Sequence, residues 1–204
     1  MTHELSLGDS PARLVVLISG NGTNLQTVLD ACADARLAAR VVAVFSNLAD
    51  AFGLQRAMLA KAPAICFPKP KDLPRRQYDA ELSERAAAFY PDWVLLLGWM
   101  RLLSTAFLDR FPGRVINLHP ALPGTFPGTH AIERAFESYQ KGEITQTGVM
   151  LHKVLDEGVD CGPVVGQELV PILPGDSLQS LEARIHETEH RLLLRVLQEL
   201  IPFA

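Results

Sequence analysis

Short aliphatic runs alternate with stretches of helical spacing along the first half of the chain. The runs are rich in Val, Ile, Leu and Phe, a composition typical of strands buried on both faces of a sheet. They lie at residues 13–18, 41–45, 64–67 and 92–97. Between them, apolar side chains recur every three or four positions and predict helices. These helices are at 25–35, at 52–62 and along the stripe Tyr78, Leu82, Ala86 and Phe89. The alternation predicts a parallel sheet with right-handed crossovers.

The second half of the chain has a different pattern. A short strand at 114–118 leads into a loop rich in Pro and Gly at 119–130, and a helix is predicted at 131–140. Two further strands, at 147–154 and 163–170, are joined by an acidic turn. Such a hairpin-like connection pairs strands in antiparallel fashion, so the pattern predicts a sheet that is not purely parallel.

Residues 176–200 have the pattern of a long amphipathic helix. Asp176 is a good N-cap residue, with Gln179 three positions further on. The apolar stripe consists of Leu178, Leu181, Ile185, Leu192, Val196 and Leu200. The whole pattern predicts an α/β fold, a Rossmann-like three-layer domain with a mostly parallel, mixed central sheet. We interpret residues 1–12 as a flexible N-terminal leader and residues 13–204 as a single domain.

Composition and charge exclude several classes of protein. Of 204 residues, 48% are hydrophobic and 21% charged, which argues against a disordered or fibrous chain. The formal net charge of −4 argues against nucleic-acid binding, which depends on clustered Lys and Arg. Three separated cysteines without a CxxC pair favour free thiols in a reducing cytoplasm. No signal-peptide pattern is present, and no apolar run approaches the roughly 18 residues of a membrane span.

A glycine-rich turn, residues 19–24, follows the first predicted strand and precedes the first predicted helix. Glycines let a ligand approach the backbone, and a helix N-terminus offers unpaired N–H groups to a phosphate. The alternative is a tight strand–helix turn without a ligand. A dinucleotide fingerprint would need a third glycine where Leu25 stands, and an acidic residue after the second strand, where Ser46 and Asn47 stand.

The final helix contains His186, Glu187 and His190 in the order HExxH, which formally matches a zinc site. The extended pattern fails because Leu193 and Val196 stand where it needs Gly and His, so we expect no metal. The alternative is a solvated helix face. Glu189 falls in the gap of the apolar stripe, which indicates an inward carboxylate that binds a polar ligand group.

Asn117 and His119 are two residues apart at the end of a predicted strand, so they share one face. An amide and an imidazole there can polarise a carbonyl and stabilise an oxyanion. Asp160, in the acidic turn, could relay a proton or favour the imidazolium of a neighbouring histidine. The alternatives are a histidine that only pins the following loop and an Asp-Gly turn without a chemical role.

These motifs occur in an order that resembles the phosphoribosylglycinamide formyltransferases, folate-dependent enzymes of purine synthesis. They are Ile18-Ser-Gly-Asn-Gly-Thr-Asn24, Val44-Phe-Ser-Asn47, Gly98-Trp-Met-Arg-Leu-Leu103, Ile116-Asn-Leu-His-Pro120 and Asp156-Glu-Gly-Val-Asp160-Cys-Gly-Pro163. The resemblance covers nearly the whole chain from about residue 13. It implies transfer of a formyl group from 10-formyltetrahydrofolate to the amino group of glycinamide ribonucleotide, through a tetrahedral intermediate and without a metal.

The resemblance also implies roles for individual residues. Asn117, His119 and Asp160 would be catalytic. The residues implied to hold the phosphoribosyl substrate are Gly22, Thr23, Asn24 and Glu189. The residues implied to hold the folate are Arg75, Met100, Arg101, Leu102, Leu103, Asn117, Asp156, Glu157, Gly158 and Val159. The implied partners are these small molecules, with neither nucleic acid nor membrane, and the chain would be a monomer or a homodimer.

The chain departs from the family in two places. Ala121-Leu-Pro-Gly124 replaces a Ser-Leu-Leu-Pro run that relatives often carry, which affects the expected loop shape, and Cys161 replaces another small residue. Three related activities share the Asn-x-His…Asp core. Methionyl-tRNA formyltransferase would need a further basic domain, formyltetrahydrofolate deformylase an N-terminal regulatory domain, and sugar-nucleotide formyltransferases match the glycine turn less closely. A non-catalytic phosphoribosyl or folate sensor is the alternative of a different class.

Overall fold

The predicted strands assemble into one sheet in the computed structural model, which describes residues 10–202. In chain order they are β1 (Ala12–Ile18), β2 (Ala39–Ser46), β3 (Ala64–Cys66), β4 (Trp93–Leu96), β5 (Val115–His119), β6 (Gln146–Lys153) and β7 (Val164–Pro171). Their spatial order is β3-β2-β1-β4-β5-β6-β7. Neighbours from β3 to β5 pair in parallel, and β6 pairs antiparallel with both β5 and β7. The prediction of a mostly parallel, mixed sheet is confirmed.

Six helices flank the sheet in the part of the chain that the structure describes. They are α1 (Thr23–Ala33), α2 (Phe52–Leu59), α3 (Arg75–Ala87), α4 (Thr105–Leu108), α5 (Ala131–Gln140) and α6 (Leu178–Leu200). Only α4 was absent from the sequence prediction, since one helical turn leaves no periodic signal. Strand β1 shows why there are three layers: Leu14 and Val16 belong to one buried cluster, and Val15 and Leu17 to another on the opposite face. The Rossmann-like three-layer architecture is confirmed.

Two boundaries differ from the prediction. Ser177, not Asp176, caps α6: its hydroxyl accepts from Ser180 N, and the Ser180 hydroxyl accepts from Ser177 N. Asp176 instead pairs with Arg184, about two turns along the helix. At the other end, β1 already includes Ala12, the last residue of the expected leader, and residues 1–9 of that leader lie outside the described residues.

The sheet order reverses between β1 and β4, and this reversal positions the functional site. The chain leaves β1 toward β2 on one side, whereas it leaves β4 toward β5 on the other. The loops that follow β1 and β4 therefore diverge and leave a crevice at the carboxyl ends of these strands, where open α/β sheets bind ligands. Ser19 ties the two loops together, because its N–H donates to Gly98 O and its hydroxyl accepts from Met100 N.

Candidate active site

A cavity of about 880 Å³ occupies this crevice. It lies at the carboxyl ends of β4 and β5 and is bounded by the acidic turn on one side and by α1 and α6 on the other. Its lining includes Asn24, residues 98–103, Asn117, His119, residues 128–133, His152, Asp156, Glu157, Gly158, Val159, Asp160, His186 and Glu189. Most of the residues expected from the sequence to bind or react therefore meet in one space.

Asn117 and His119 both contact Asp160, and all three line the cavity. The Asp160 carboxylate accepts a hydrogen bond from Asn117 Nδ2 at 2.9 Å through Oδ1. Its other oxygen, Oδ2, lies 3.4 Å from His119 Nδ1 and accepts from Gly128 N at 2.7 Å. Asp160 itself has a left-handed backbone, with φ of 50°, which turns its carboxylate toward the strand ends.

The imidazole of His119 is buried, with 4% of the residue exposed, and both ring nitrogens face oxygen atoms. Nε2 lies 3.1 Å from Phe126 O, opposite the side that faces Asp160. Burial is the largest influence and lowers the pKa of His119 below its ordinary value of 6.5, although Asp160 and Phe126 O act to raise it. Asp160 favours the imidazolium, as expected from the sequence, but desolvation outweighs this attraction in the unliganded site.

Asp160 is ionised at neutral pH for a different reason. Burial disfavours its charge, but hydrogen bonds from His152 and Gly128 N, together with the nearby His119, outweigh that effect. The pKa of Asp160 consequently lies below its ordinary value of 3.8. The site thus holds a carboxylate beside a neutral imidazole.

His152 is a residue of this site that the sequence interpretation missed. It lies opposite Asn117 across the β5–β6 pairing, is 2% exposed, and its Nε2 lies 3.4 Å from Asp160 Oδ1 and 3.1 Å from Asn117 Nδ2. A lone histidine inside the apolar run Val149-Met-Leu-His152 was the available signal. Its contacts fix the carboxylate against the amide.

The pKa of His119 should depend on the charge of Asp160. We expect an NMR titration to place it below 6.5 in the wild-type protein, and lower still in Asp160→Asn, which loses the main interaction that raises it. A histidine whose folded pKa is depressed binds its proton more readily in the unfolded chain, so stability falls as the pH drops below about 6.5. His119→Asn should flatten this acid-side loss in thermal melts. An unchanged His119 pKa in Asp160→Asn would contradict the assigned balance.

The glycine turn after β1 leads into α1 as expected. Gly22 is the N-cap of α1 with φ of 76°, and no side chain caps this helix end, so the first backbone N–H groups of the helix remain available to an anion. Asn24 lines the cavity, whereas Gly22 and Thr23 are not part of its lining. The structure therefore brings one of the three expected phosphate-turn residues to the cavity wall and leaves the other two beside it.

Gly22 also has a packing role that requires no ligand. A Cβ at this position would lie 2.8 Å from the Cα of Gly53 at the start of α2. Arg56, one turn further along α2, donates to the carbonyl and side-chain oxygens of Asn21 at 2.9 and 2.8 Å. The turn is thus held against α2 by a glycine–glycine contact and a guanidinium.

Gly22→Ala is expected to destabilise the protein by roughly 1 kcal/mol or more, because it adds both a clash and a disfavoured left-handed backbone. Gly20→Ala is the matched control, since a Cβ there meets nothing within 4 Å. Thermal melts measure the difference. We also expect Gly22→Ala to weaken binding of a phosphorylated ligand more than binding of a folate, and equal weakening would point to general misfolding instead.

Glu189 faces inward, as its place in the helical pattern predicted. It is 5% exposed and accepts from Asn24 Nδ2 at 3.1 Å and bonds to His186 Nδ1 at 2.8 Å. This contact raises the pKa of His186 above its ordinary value. His186 lines the cavity, whereas His190 does not, and within residues 10–202 no group of three or more His, Cys, Asp or Glu side chains could hold a metal ion.

The opposite end of the cavity is apolar. Met100, Leu102 and Val159 remain 65%, 47% and 40% exposed, while Leu103 is buried. The guanidinium of Arg101, which also lines the cavity, lies 5.4 Å from the ring centroid of Tyr78. Exposed apolar side chains around a concave surface form a site suited to a flat organic ring.

The acidic turn 156–160 closes over this apolar end. Asp156 accepts from Gly158 N at 2.8 Å within the turn, and Glu157 accepts from Thr105 N at 3.1 Å. Arg75 forms an ion pair with Glu157. Arg75, which the resemblance assigns to folate binding, is not part of the cavity lining. It binds Glu157 of the turn 156–160, which does line the cavity.

Known proteins resemble this chain over most of its length. The family model for formyl transferase matches residues 12–197. A phosphoribosylglycinamide formyltransferase of Schizosaccharomyces pombe is 44% identical, covering 93% of this chain and 97% of its own length. The Escherichia coli enzyme of the same name is 42% identical, over 87% of this chain and 81% of its own.

Structural similarity is equally extensive. The crystal structure of glycinamide ribonucleotide transformylase 1 from Symbiobacterium toebii superposes with a TM-score of 0.88 at 39% identity, covering 96% of this chain and 93% of that one. Among residues 10–202, every helix is too short or too polar to cross a bilayer. The chain belongs to the formyl transferase family and, within it, to the phosphoribosylglycinamide formyltransferases.

Proposed function

We propose that this protein transfers the formyl group of 10-formyltetrahydrofolate to the amino group of glycinamide ribonucleotide. The observation that carries the proposal is the contact of Asn117 Nδ2 and His119 Nδ1 with the two oxygens of Asp160, between a polar and an apolar end of one cavity. Relatives named for this activity share most of the chain. The two ends suit two different substrates, and the three side chains lie where those substrates would meet.

The polar end suits the ribonucleotide. Unpaired N–H groups at the start of α1 would hold its phosphate, and the buried carboxylate of Glu189 would accept hydrogen bonds from ribose hydroxyls. Asn24 supports this assignment, because its Oδ1 is buried without a partner among the described residues. A buried acceptor of this kind requires a donor, which a bound hydroxyl or amide supplies.

The apolar end suits the pteridine ring of the folate. Residues 100–103 would form one wall and Val159, with the rest of the turn 156–160, the other. The Arg75–Glu157 ion pair at the mouth would hold the turn or, with the pair opened, offer a cation to the anionic tail of the folate. The formyl group would then point inward toward His119.

The proposed chemistry begins with attack of the substrate amine on the formyl carbon. A C–N bond forms, and the carbonyl electron pair moves to oxygen, giving a tetrahedral oxyanion. His119 donates a hydrogen bond to that oxygen. The negative charge that develops there offsets the burial that keeps the imidazole neutral in the empty site.

Asn117 orients the amine, and Asp160 accepts its proton. With Asn117 Nδ2 committed to Asp160, its Oδ1 is free to accept from the attacking amine and orient it. The ionised Asp160 receives the proton that the nitrogen loses, directly or through one water. Collapse of the intermediate breaks the bond to N10 of the folate, and the same proton is delivered to N10, which leaves tetrahydrofolate and a formamide.

The test mixes purified protein, 10-formyltetrahydrofolate and glycinamide ribonucleotide and follows release of tetrahydrofolate by absorbance. Release is expected only when both substrates are present. The corresponding glycinamide ribonucleoside lacks the phosphate, so its KM should be much higher than that of the ribonucleotide. Release that proceeds without any ribonucleotide would instead indicate hydrolysis of the formyl folate, and no release would contradict the proposal.

A further inference from the structure

We propose that Arg134 is a positioning residue for formyl transfer. It fixes the loop 120–130, which connects β5 to α5, so that two backbone groups of that loop meet His119 and Asp160. The inference rests on the proposed function, because the reaction it affects is the one assigned to those two side chains.

Arg134 binds the loop through several hydrogen bonds. Its Nη2 donates to Phe126 O at 2.8 Å and to Pro127 O at 2.6 Å, and its Nε donates to His130 O at 3.3 Å. The guanidinium also lies 6.0 Å from the ring centroid of Phe126. A planar, permanently charged fork that engages several carbonyls holds a loop more tightly than a single neutral donor does.

The same stretch of loop touches the reacting groups. Phe126 O, which accepts from Arg134, also lies 3.1 Å from His119 Nε2. Two residues further on, Gly128 N donates to Asp160 Oδ2 at 2.7 Å. The loop therefore supplies Phe126 O to the imidazole of His119 and Gly128 N to the carboxylate of Asp160. Arg134 binds the first of these groups directly.

The loop needs such support because its backbone is strained. Phe126 and His130 have φ of 45° and 57°, a left-handed conformation that non-glycine residues rarely adopt. Gly124 and Gly128 share this conformation, with φ of 76° and 79°. Without the guanidinium, the segment is expected to relax and withdraw Phe126 O and Gly128 N from the site.

Three charged or titratable side chains face His119. They are Asp160 from the acidic turn, His152 from β6 and Arg134 from α5. Arg134 is the only one of these on the loop side of the imidazole. Arg134 is half-buried. Helix α5 packs against the core through other side chains, which are Ala131, Ile132, Ala135, Phe136 and Tyr139, so we expect replacement of Arg134 to leave the helix in place.

The experiment compares Arg134→Met, Arg134→Lys and the control Arg191→Met, which breaks an ion pair with Glu168 away from the cavity. Arg134→Met is expected to lower kcat by about 10- to 100-fold, because a small misplacement of reacting groups costs that much. KM for both substrates should stay within about 3-fold, since Arg134 is not part of the cavity lining. Arg134→Lys keeps the charge and a donor and should recover most of the lost kcat.

A second readout does not depend on activity. Hydrogen exchange followed by NMR should show that the Gly128 amide, protected in the wild-type protein and in Arg191→Met, loses protection in Arg134→Met. Wild-type kcat and a protected Gly128 amide in that variant would overturn the inference, as would a rise in KM at unchanged kcat. If Arg134→Met does not fold, Arg134→Gln decides by the same readouts. If the wild-type protein shows no formyl transfer, the proposed function is wrong. The exchange rate of the Gly128 amide would still test whether Arg134 fixes the loop 120–130.

Discussion

Asp160→Asn is expected to lower kcat for formyl transfer by about 10²- to 10⁴-fold, the range typical for loss of a general base. The substitution keeps the size of the side chain and an oxygen for Gly128 N. It removes the charge that flanks His119 and that, in the proposed mechanism, accepts the amine proton. The measurement is the initial rate of tetrahydrofolate release at saturating concentrations of both substrates.

Asp109→Asn is the control for this prediction. Asp109 is an exposed carboxylate at the C-cap of the short helix α4 and is not part of the cavity lining, so its loss of charge should leave kcat unchanged. If Asp160→Asn and Asp109→Asn give similar rates, Asp160 does not accept the amine proton, and the proposed mechanism is wrong.

His119→Ala is expected to lower kcat by about 10²- to 10³-fold, the cost of removing one oxyanion donor from a preorganised site. Binding of the substrates should change little, because His119 lies at the meeting point of the two ends rather than within either one. Trp99 lines the cavity, so tryptophan fluorescence should report folate binding in the variant and in the wild-type protein.

The folded state of His119→Ala is checked by its melting temperature before the rates are compared. Near-normal turnover in a folded variant would remove His119 from the reaction. A loss of folate binding equal to the loss of rate would make it a binding residue instead of a catalytic one.

The sequence predicted the parts of the molecule that depend on local pattern. Apolar runs such as Val15-Val-Leu-Ile18 located the buried strands, because a strand covered on both faces needs an apolar side chain at every position. Alternation along a strand placed Asn117 and His119 together. The gap in the stripe of α6 identified Glu189 as an inward carboxylate, which its burial confirms.

The parts that depend on contacts between distant segments could not be predicted. His152 reaches the site through its register opposite Asn117, and pairing registers of separate strands leave no local signal. The balance that lowers the pKa of His119 depends on how deeply several elements bury it. The contact of Gly22 with Gly53 likewise joins the turn after β1 to the start of α2. The sequence therefore indicated a ligand for Gly22 and not its packing role.

In the proposed reaction, one cavity holds both substrates and brings them together at Asn117, His119 and Asp160. The most direct measurement is a crystal structure of the protein with glycinamide ribonucleotide and a folate analogue that cannot transfer its one-carbon unit. We predict the phosphate at the N-terminus of α1, the ring against residues 100–103, and the amine nitrogen within hydrogen-bond distance, about 3 Å, of Asn117 or Asp160. An amine held at the far end of the cavity, or a folate bound outside it, would show that the two substrates do not meet at these three side chains.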